Sequence, residues 1–326
     1  MRGEFELIAR YFAPLAEAAP GAQGLLNDAA VFDPSRDDSL VLTIDTMVEG
    51  VHFLPDDPPG LIGRKLLRVN LSDLAAMGAR PIGYLLAGAF PKDVDEAWIA
   101  AFAAGLAEDQ EVFGVTLYGG DTVATPGPLT LSLTAFGEVP EGRALSRATA
   151  RAGDEVYVSG TIGDGVLGLD ALRGGLRALD EDQRAALAAR YRLPEPRLAL
   201  GRKLVETGLA TAALDVSDGL VADLGHIAAA SAVAAEIEAG AVPLSAAARA
   251  ALVSDAALLA ALLTGGDDYE LLFTVRPGRV GELADLAGRL DLPLTRIGRI
   301  GEGQGVRVLD AAGREMDLPG GGWSHF

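Results

Sequence analysis

At five sites in this chain, acidic residues stand beside small or hydroxyl-bearing residues, the setting in which hard cations are held. Four form the clusters Asn27-Asp28-Ala29-Ala30, Thr43-Ile44-Asp45-Thr46, Gly119-Gly120-Asp121-Thr122 and Asp215-Val216-Ser217-Asp218-Gly219. The fifth, Asp73, sits inside the apolar run Asn70-Leu71-Ser72-Asp73-Leu74. Mg2+ is bound by one or two carboxylates plus waters and usually carries phosphates with it. The chemistry suggested is therefore the assembly of several Mg2+ ions around a polyphosphate such as ATP. Gly119-Gly120 adds a point where backbone can approach a phosphate closely.

Each signal also has a plainer reading. Asp at a turn often caps a loop. Ser217 has the chemistry of a helix N-cap, and Asp218 that of a residue complementing the helix dipole. Asn70 and Asp73 are three apart and share a helix face. Asp73, flanked by Leu71, Leu74 and Met77, is expected to be partly buried and so needs a partner. Arg68, Arg80 and a metal are equal claimants. Of the three histidines, His226 reads as structural, while His52 lies in a loop after Asp45 where a substrate contact is one reading. Trp323 either docks the C-terminal tail or stacks on an aromatic ligand.

The composition narrows the classes. At 326 residues, two domains are expected. A formal charge of −19 excludes a nucleic-acid surface, which needs a basic stripe. It would also repel ATP unless metals or local arginines offset it. Absence of cysteine excludes disulfides, thiolate catalysis and Cys-ligated zinc. There is no Walker A loop and no kinase-type glycine loop with its lysine; the lysines are Lys65, Lys92 and Lys203 alone. Without an apolar leader or a stretch long enough to span a bilayer, a soluble cytoplasmic protein is expected.

Periodicity predicts the elements that must position these residues. Helices are predicted over 5–19, 61–77, 94–113, 197–207, 218–231, 245–263 and 279–290, with a helical region from Gly160 to about 178. Strands are predicted over 29–32, 40–45, 84–90, 115–118, 129–134, 155–159, 212–216, 233–237, 270–275, 295–300 and 306–309. Asp45 and Asp121 thus fall just after strands, where α/β sheets present ligands. The alternation makes the class α/β (α+β), with domains at 1–140 and 141–326.

The ordered motifs resemble the thiamine-monophosphate kinase family, in the superfamily of aminoimidazole-ribonucleotide synthetase. They begin with Gly3-Glu4-Phe5-x-Leu7-Ile8 and Asp45-Thr46-Met47-Val48-Glu49-Gly50-Val51-His52-Phe53, then Asn70–Gly78 and Gly119–Thr122. They continue through Gly142-Arg143-Ala144-Leu145-Ser146-Arg147, Asp215–Leu220, Gly265-Gly266-Asp267-Asp268-Tyr269-Glu270-Leu271 and the closing Trp323-Ser324-His325-Phe326.

The resemblance implies a two-domain PurM-like fold whose N-terminal domains pair into a barrel-like homodimer interface. It implies Mg2+-assisted, in-line phosphorylation of thiamine monophosphate by ATP, without a phosphoenzyme. The alternatives are another ATP-dependent synthetase of the superfamily or a catalytically weakened nucleotide- or thiamine-binding protein. Carried over by motif, Asp28, Thr43, Ile44 (through its carbonyl), Asp45, Asp73, Asp121, Asp215 and Asp218 are the metal ligands. Asp45, Asp73, Asp121 and Asp215 are the catalytic set. Gly120, Asp121, Arg147 and Ser217 contact ATP, and His52, Asp267 and Trp323 contact thiamine monophosphate. Three positions depart from the family pattern. Asn27 replaces a carboxylate with a weaker amide ligand, Ile44 replaces a hydroxyl residue, and Asp267 is one methylene shorter than the family's Glu.

Overall fold

The sequence divides its structure into two units, each built on its own sheet. The structure is a computed structural model describing residues 4–26 and 29–318. One unit comprises Met1–Leu74 with Ala79–Gly142, the other Ala75–Gly78 with Arg143–Phe326.

In the first unit, α1 (Glu4–Leu7) is followed by a π turn at Ile8–Phe12 and a 3-10 turn at Ala13–Ala16. The single helix predicted over 5–19 is not formed; Pro14 has no amide to donate and enforces a break. The main elements are β1 (Asp38–Val48), α2 (Pro59–Ala76), β2 (Arg80–Pro91), α3 (Glu96–Phe113), β3 (Thr116–Thr125) and β4 (Thr130–Pro140). The strands lie in the order β1-β4-β2-β3. β1 and β2 run antiparallel to β4, whereas β2 and β3 are parallel and use α3 as the crossover such a pair requires. Residues 29–32 form no strand.

Alternation along β1 gives this sheet two unlike faces. One face is covered by helices and buries Tyr84, Leu86, Leu117, Leu131 and Leu133 with Leu67, Leu71, Phe102 and Leu106. Helices α2 and α3 approach so closely that a Cβ on Gly105 would lie 2.0 Å from the Gly60 carbonyl oxygen. The fully buried Asp109 of α3 is held by Arg64 and by the forked guanidinium of Arg68. The other face is open: Leu42 is 62% exposed, Ile44 63% and Val123 52%, with Leu40 and Leu85 also exposed.

The second unit contains β5 (Glu155–Ser159), α4 (Asp164–Leu172), α5 (Glu181–Arg192), α6 (Leu198–Thr207), β6 (Ala210–Asp215), α7 (Leu220–Ser231) and β7 (Ala234–Glu238). It continues with α8 (Ala246–Ser254), α9 (Leu258–Thr264), β8 (Leu271–Val275), α10 (Val280–Leu290), β9 (Leu294–Gly301) and β10 (Gly305–Leu309). The six strands are ordered β10-β7-β9-β5-β8-β6, and only the β10–β7 pair is parallel. Both faces of this sheet are covered, so its central strands are nearly continuously apolar. Val156, Val158 and Leu214 pack with Leu224 and Ile227 on one side; Tyr157 and Phe273 pack with Leu204, Leu283 and Leu286 on the other.

The mixed architecture is the α/β (α+β) class expected. The helix predicted over 245–263 is split at Asp255, whose backbone is extended. Helix α5 was not read from the sequence, although Asp180 and Gln183 form a capping box at its start. Among the described residues, no helix is long and apolar enough to cross a membrane.

Candidate active site: two sets of carboxylates

Both strand-borne acids of the first unit lie inside their strands rather than after them, since β1 and β3 extend beyond the predicted ends. On β1, Thr43 and Asp45 are two apart and share the helix-covered face. Opposite them, α2 presents Asn70 and Asp73 from one side. The Thr43 hydroxyl donates to Asp73 Oδ2. The Asp45 amide donates to Asn70 Oδ1 at 3.1 Å, and buried Asn70 is oriented by donating Nδ2 to the Leu66 carbonyl at 2.9 Å. Burial, then the charge of Asp73, pushes the Asp45 carboxyl up to about 7. Arg68 is committed to Asp109, and Arg80 donates to Glu138 at 2.9 Å. Ile44 points to the open face, away from this cluster.

Asp121 is not brought to Asp45. The sheet order places β1 and β3 at opposite edges, three strand spacings apart, or about 14 Å. Their side chains also point to opposite faces. The β2–β3 register shifts after Tyr84 and Leu117, leaving Tyr118 as an extra residue. Beyond that bulge Gly120 pairs with buried Leu86 and Asp121 with exposed Ala87. A bulge of one residue reverses the alternation, so Asp121 leaves the face that Leu117 occupies. Residues Gly119–Thr122 line a cavity of about 130 Å³ whose other walls include Ile8, Phe12, Leu86 and Phe90. Only glycine fits at 120, where a Cβ would sit 2.0 Å from the Leu86 carbonyl oxygen.

In the second unit, Asp215 ends β6 and is buried. The following loop, Ser217-Asp218-Gly219, folds over a carboxylate that the sequence reading did not single out. Asp223, in the first turn of α7, accepts the amides of Ser217, Asp218 and Gly219 on one oxygen, each at 3.0 Å. Burial and then the charge of Asp218 push Asp223 up to about 7, against the lowering pull of those amides. Ser217 therefore does not act as the N-cap; Gly219 occupies that position. His226 is exposed and brings a ring nitrogen within 4.8 Å of the carboxylates of Asp218 and Asp223.

The loop is stitched to the segment carrying Asp267. The Asp267 amide donates to the Ser217 carbonyl at 2.9 Å, and the Tyr269 amide donates to the Val216 carbonyl at 2.7 Å. Asp267 and Tyr269 adopt left-handed backbone conformations (φ 70° and 53°), which are uncommon for non-glycine residues. The Tyr269 hydroxyl donates to Asp267 Oδ1 at 3.3 Å. Between them, fully buried Asp268 accepts the Gly163 and Gly165 amides, and burial pushes it up to about 8. Next along, fully buried Glu270 accepts from Arg190, Arg197 and the Ser159 hydroxyl.

Of the remaining expected contacts, His52 accepts the Val48 amide on Nδ1 at 3.0 Å, and Arg147 lies on an exposed loop. Asp28 and Trp323 lie outside the described residues.

Residues 26–139 match the AIR synthase related protein, N-terminal domain, and 151–311 the corresponding C-terminal domain. A thiamine-monophosphate kinase of Caulobacter vibrioides is 44% identical over 325 residues, covering 99% of this chain and 90% of its own. That of Escherichia coli K12 is 41% identical over 325 residues, covering 99% and 98%. The crystal structure of the Stenotrophomonas maltophilia K279a enzyme superposes with a TM-score of 0.84 at 46% identity, covering 94% of this chain and 96% of that one. A structure named AaThiL complexed with AMPPCP and TMP superposes at 0.78 and 32% identity, covering 100% and 99%. The chain belongs to the thiamine-monophosphate kinase family of the AIR synthase related proteins.

Proposed function

We propose that this protein transfers the γ-phosphoryl group of ATP to thiamine monophosphate, giving thiamine diphosphate and ADP in one in-line step. The observation that carries the reading is the Thr43–Asp45–Asp73 cluster, where two carboxylates share a partly dry site in which Asp45 ionises reluctantly. Such a pair favours a hard cation, and its donors are all oxygens, so the residues fit Mg2+. Asp45, Asp73 and Thr43 would hold one such ion, with Asp28 and the Ile44 carbonyl as further candidate ligands; Asp121, Asp215 and Asp218 are candidate ligands of other Mg2+ ions. When bound, Mg2+ neutralises phosphate charge and orients the reacting oxygens.

The acceptor determines what the protein need not do. A phosphate monoester loses its second proton near pH 6 and arrives at neutral pH largely as a dianion. Its oxygen needs no general base, which accords with the absence of a buried His beside Asp45 among the described residues. The task of the chain is to bring two anions together although it carries a net charge of −19. Arg147 and Ser217 are assigned to ATP, and Asp267, His52 and Trp323 to the thiamine moiety and its phosphate. Gly120 is assigned to the nucleotide at the cleft it lines, and Asp121, whose side chain stands on the other face and apart from the Asp45 cluster of the same chain, to the nucleotide and a further metal ion.

The open face of the four-stranded sheet supports a homodimer. Leu40, Leu42, Ile44, Leu85 and Val123 stand exposed on either side of the polar row Thr130, Ser132 and Thr134 of β4, on a face that a second copy would cover. Two such sheets supply eight strands, enough to close a small barrel packed with side chains.

The test is ADP release with thiamine monophosphate at saturating Mg2+, with the product identified by mass. Thiamine diphosphate is expected in a one-to-one ratio with ADP. Nucleotide binding without that product, or turnover only with an aminoimidazole precursor, would overturn the assignment.

A further inference from the structure

We propose that Asp223 is a positioning residue of the phosphoryl-transfer reaction, holding the Asp215–Gly219 loop in the shape that receives the nucleotide. The proposal rests on the kinase reading above. Amides at the start of a helix are ordinarily free to receive an anion. Those of Ser217, Asp218 and Gly219 are instead all taken by one oxygen of Asp223, a residue that is 4% exposed. All three amides precede α7, so these bonds fix the loop rather than the helix.

The carbonyl side of the loop is fixed as well. Val216 and Ser217 offer their carbonyl oxygens to the amides of Tyr269 and Asp267. At Gly219, where φ is 127°, a Cβ would lie 2.4 Å from the Thr264 carbonyl oxygen, so this part of the loop has no room to shift toward α9. With its backbone groups occupied on both sides, the loop meets the nucleotide through the side chains of Ser217 and Asp218. Asp223 sets where those side chains stand while itself remaining beneath the loop. The sequence carries this as Ser-Asp-Gly followed by Asp four residues after the glycine.

Three full-length variants test the idea, with steady-state ADP release measured against Mg·ATP and against thiamine monophosphate separately. In Asp223→Ala the KM for Mg·ATP is expected to rise about tenfold or more, with the KM for thiamine monophosphate within about threefold of wild type. Asp223→Asn keeps an oxygen acceptor and is expected to stay within about threefold for both substrates. Asp223→Glu keeps the charge but moves the oxygen by a methylene, and is expected to raise the Mg·ATP KM as alanine does. The Asn and Glu variants decide the matter even where the Ala variant does not fold. A wild-type Glu variant beside an impaired Asn variant would overturn the proposal, because charge rather than placement would then matter. Wild-type Mg·ATP dependence in all three would also overturn it. Asp45→Asn run alongside separates the two readings: if wild type makes thiamine diphosphate and Asp45→Asn does not, a null result at Asp223 counts against the positioning role alone.

Discussion

The two sets of carboxylates handle buried negative charge in opposite ways. In the first unit, Asp45 lies beside Asp73, and nothing that shifts its ionisation favours the charged form. In the second, Asp223 takes three backbone amides, Asp268 takes two, and Glu270 takes two arginines and a hydroxyl. Asp223 is repelled by Asp218 as Asp45 is by Asp73, so the difference lies in the donors: a carboxylate already supplied with them has fewer lone pairs left for a cation. The donors a buried acid already has thus separate Asp45 and Asp73, suited to holding metal, from Asp223, Asp268 and Glu270, which shape the loops around them.

The strongest way to break this contrast is Asp45→Asn. It is expected to reduce kcat by about a thousandfold or more. In EDTA the same variant should melt at or above the wild-type temperature, because relief of like charge is stabilising. Mg2+ should raise the wild-type melting temperature and leave the variant nearly unmoved. A lower melting temperature for the variant in EDTA would mean that Asp45 is a structural acid like those of the second unit.

Glu270→Gln probes the other side. It removes the buried charge that two arginines share and is expected to cost roughly 3 kcal/mol of stability, measured by urea unfolding. An unchanged midpoint would show that the arginine pair finds equal partners elsewhere.

The smallest effect is a pH dependence. The Asp268 carboxyl is raised to about 8 when folded, against about 3.9 unfolded, so the folded state binds the extra proton between those values. Stability from this group is therefore complete below about pH 4 and is lost as pH rises through about 8. In metal-free buffer Asp45 and Asp223 act in the same direction up to about 7. Asp268→Asn should flatten the decline between pH 7 and 8, and a curve parallel to wild type there would contradict the assignment.

Particular residues show which parts were legible in the sequence. Thr43 with Asp45, and Asn70 with Asp73, could be placed because a strand repeats every two residues and a helix brings i and i+3 together. The same period-2 count from Leu117 puts Asp121 on the helix-covered face, and it fails because of the single extra residue at Tyr118. Bulges arise from how two strands pair, and one strand's own pattern does not contain that information. Asp223 was missed for another reason. Ser217 has the chemistry to cap forward into the helix, whereas the carboxylate that accepts the loop amides sits inside the helix and reaches back to them. His226 reads as structural from its place in a helix, and only the packing of α7 shows that its side faces solvent near Asp218 and Asp223.

The edge position of β1 has a consequence for synthesis. Its ladder partner is β4, so β1 leaves the ribosome complete at Val48 while the strand it pairs with ends at Pro140. At about 5–20 residues per second the roughly 90 intervening residues take on the order of 5–18 s. Throughout that interval the nascent chain carries Leu40, Leu42 and Ile44 beside unpaired amides and carbonyls, the combination that invites strand addition by other chains. The pace of translation between these two strands, and any chaperone that binds there, therefore governs how much chain reaches the native state.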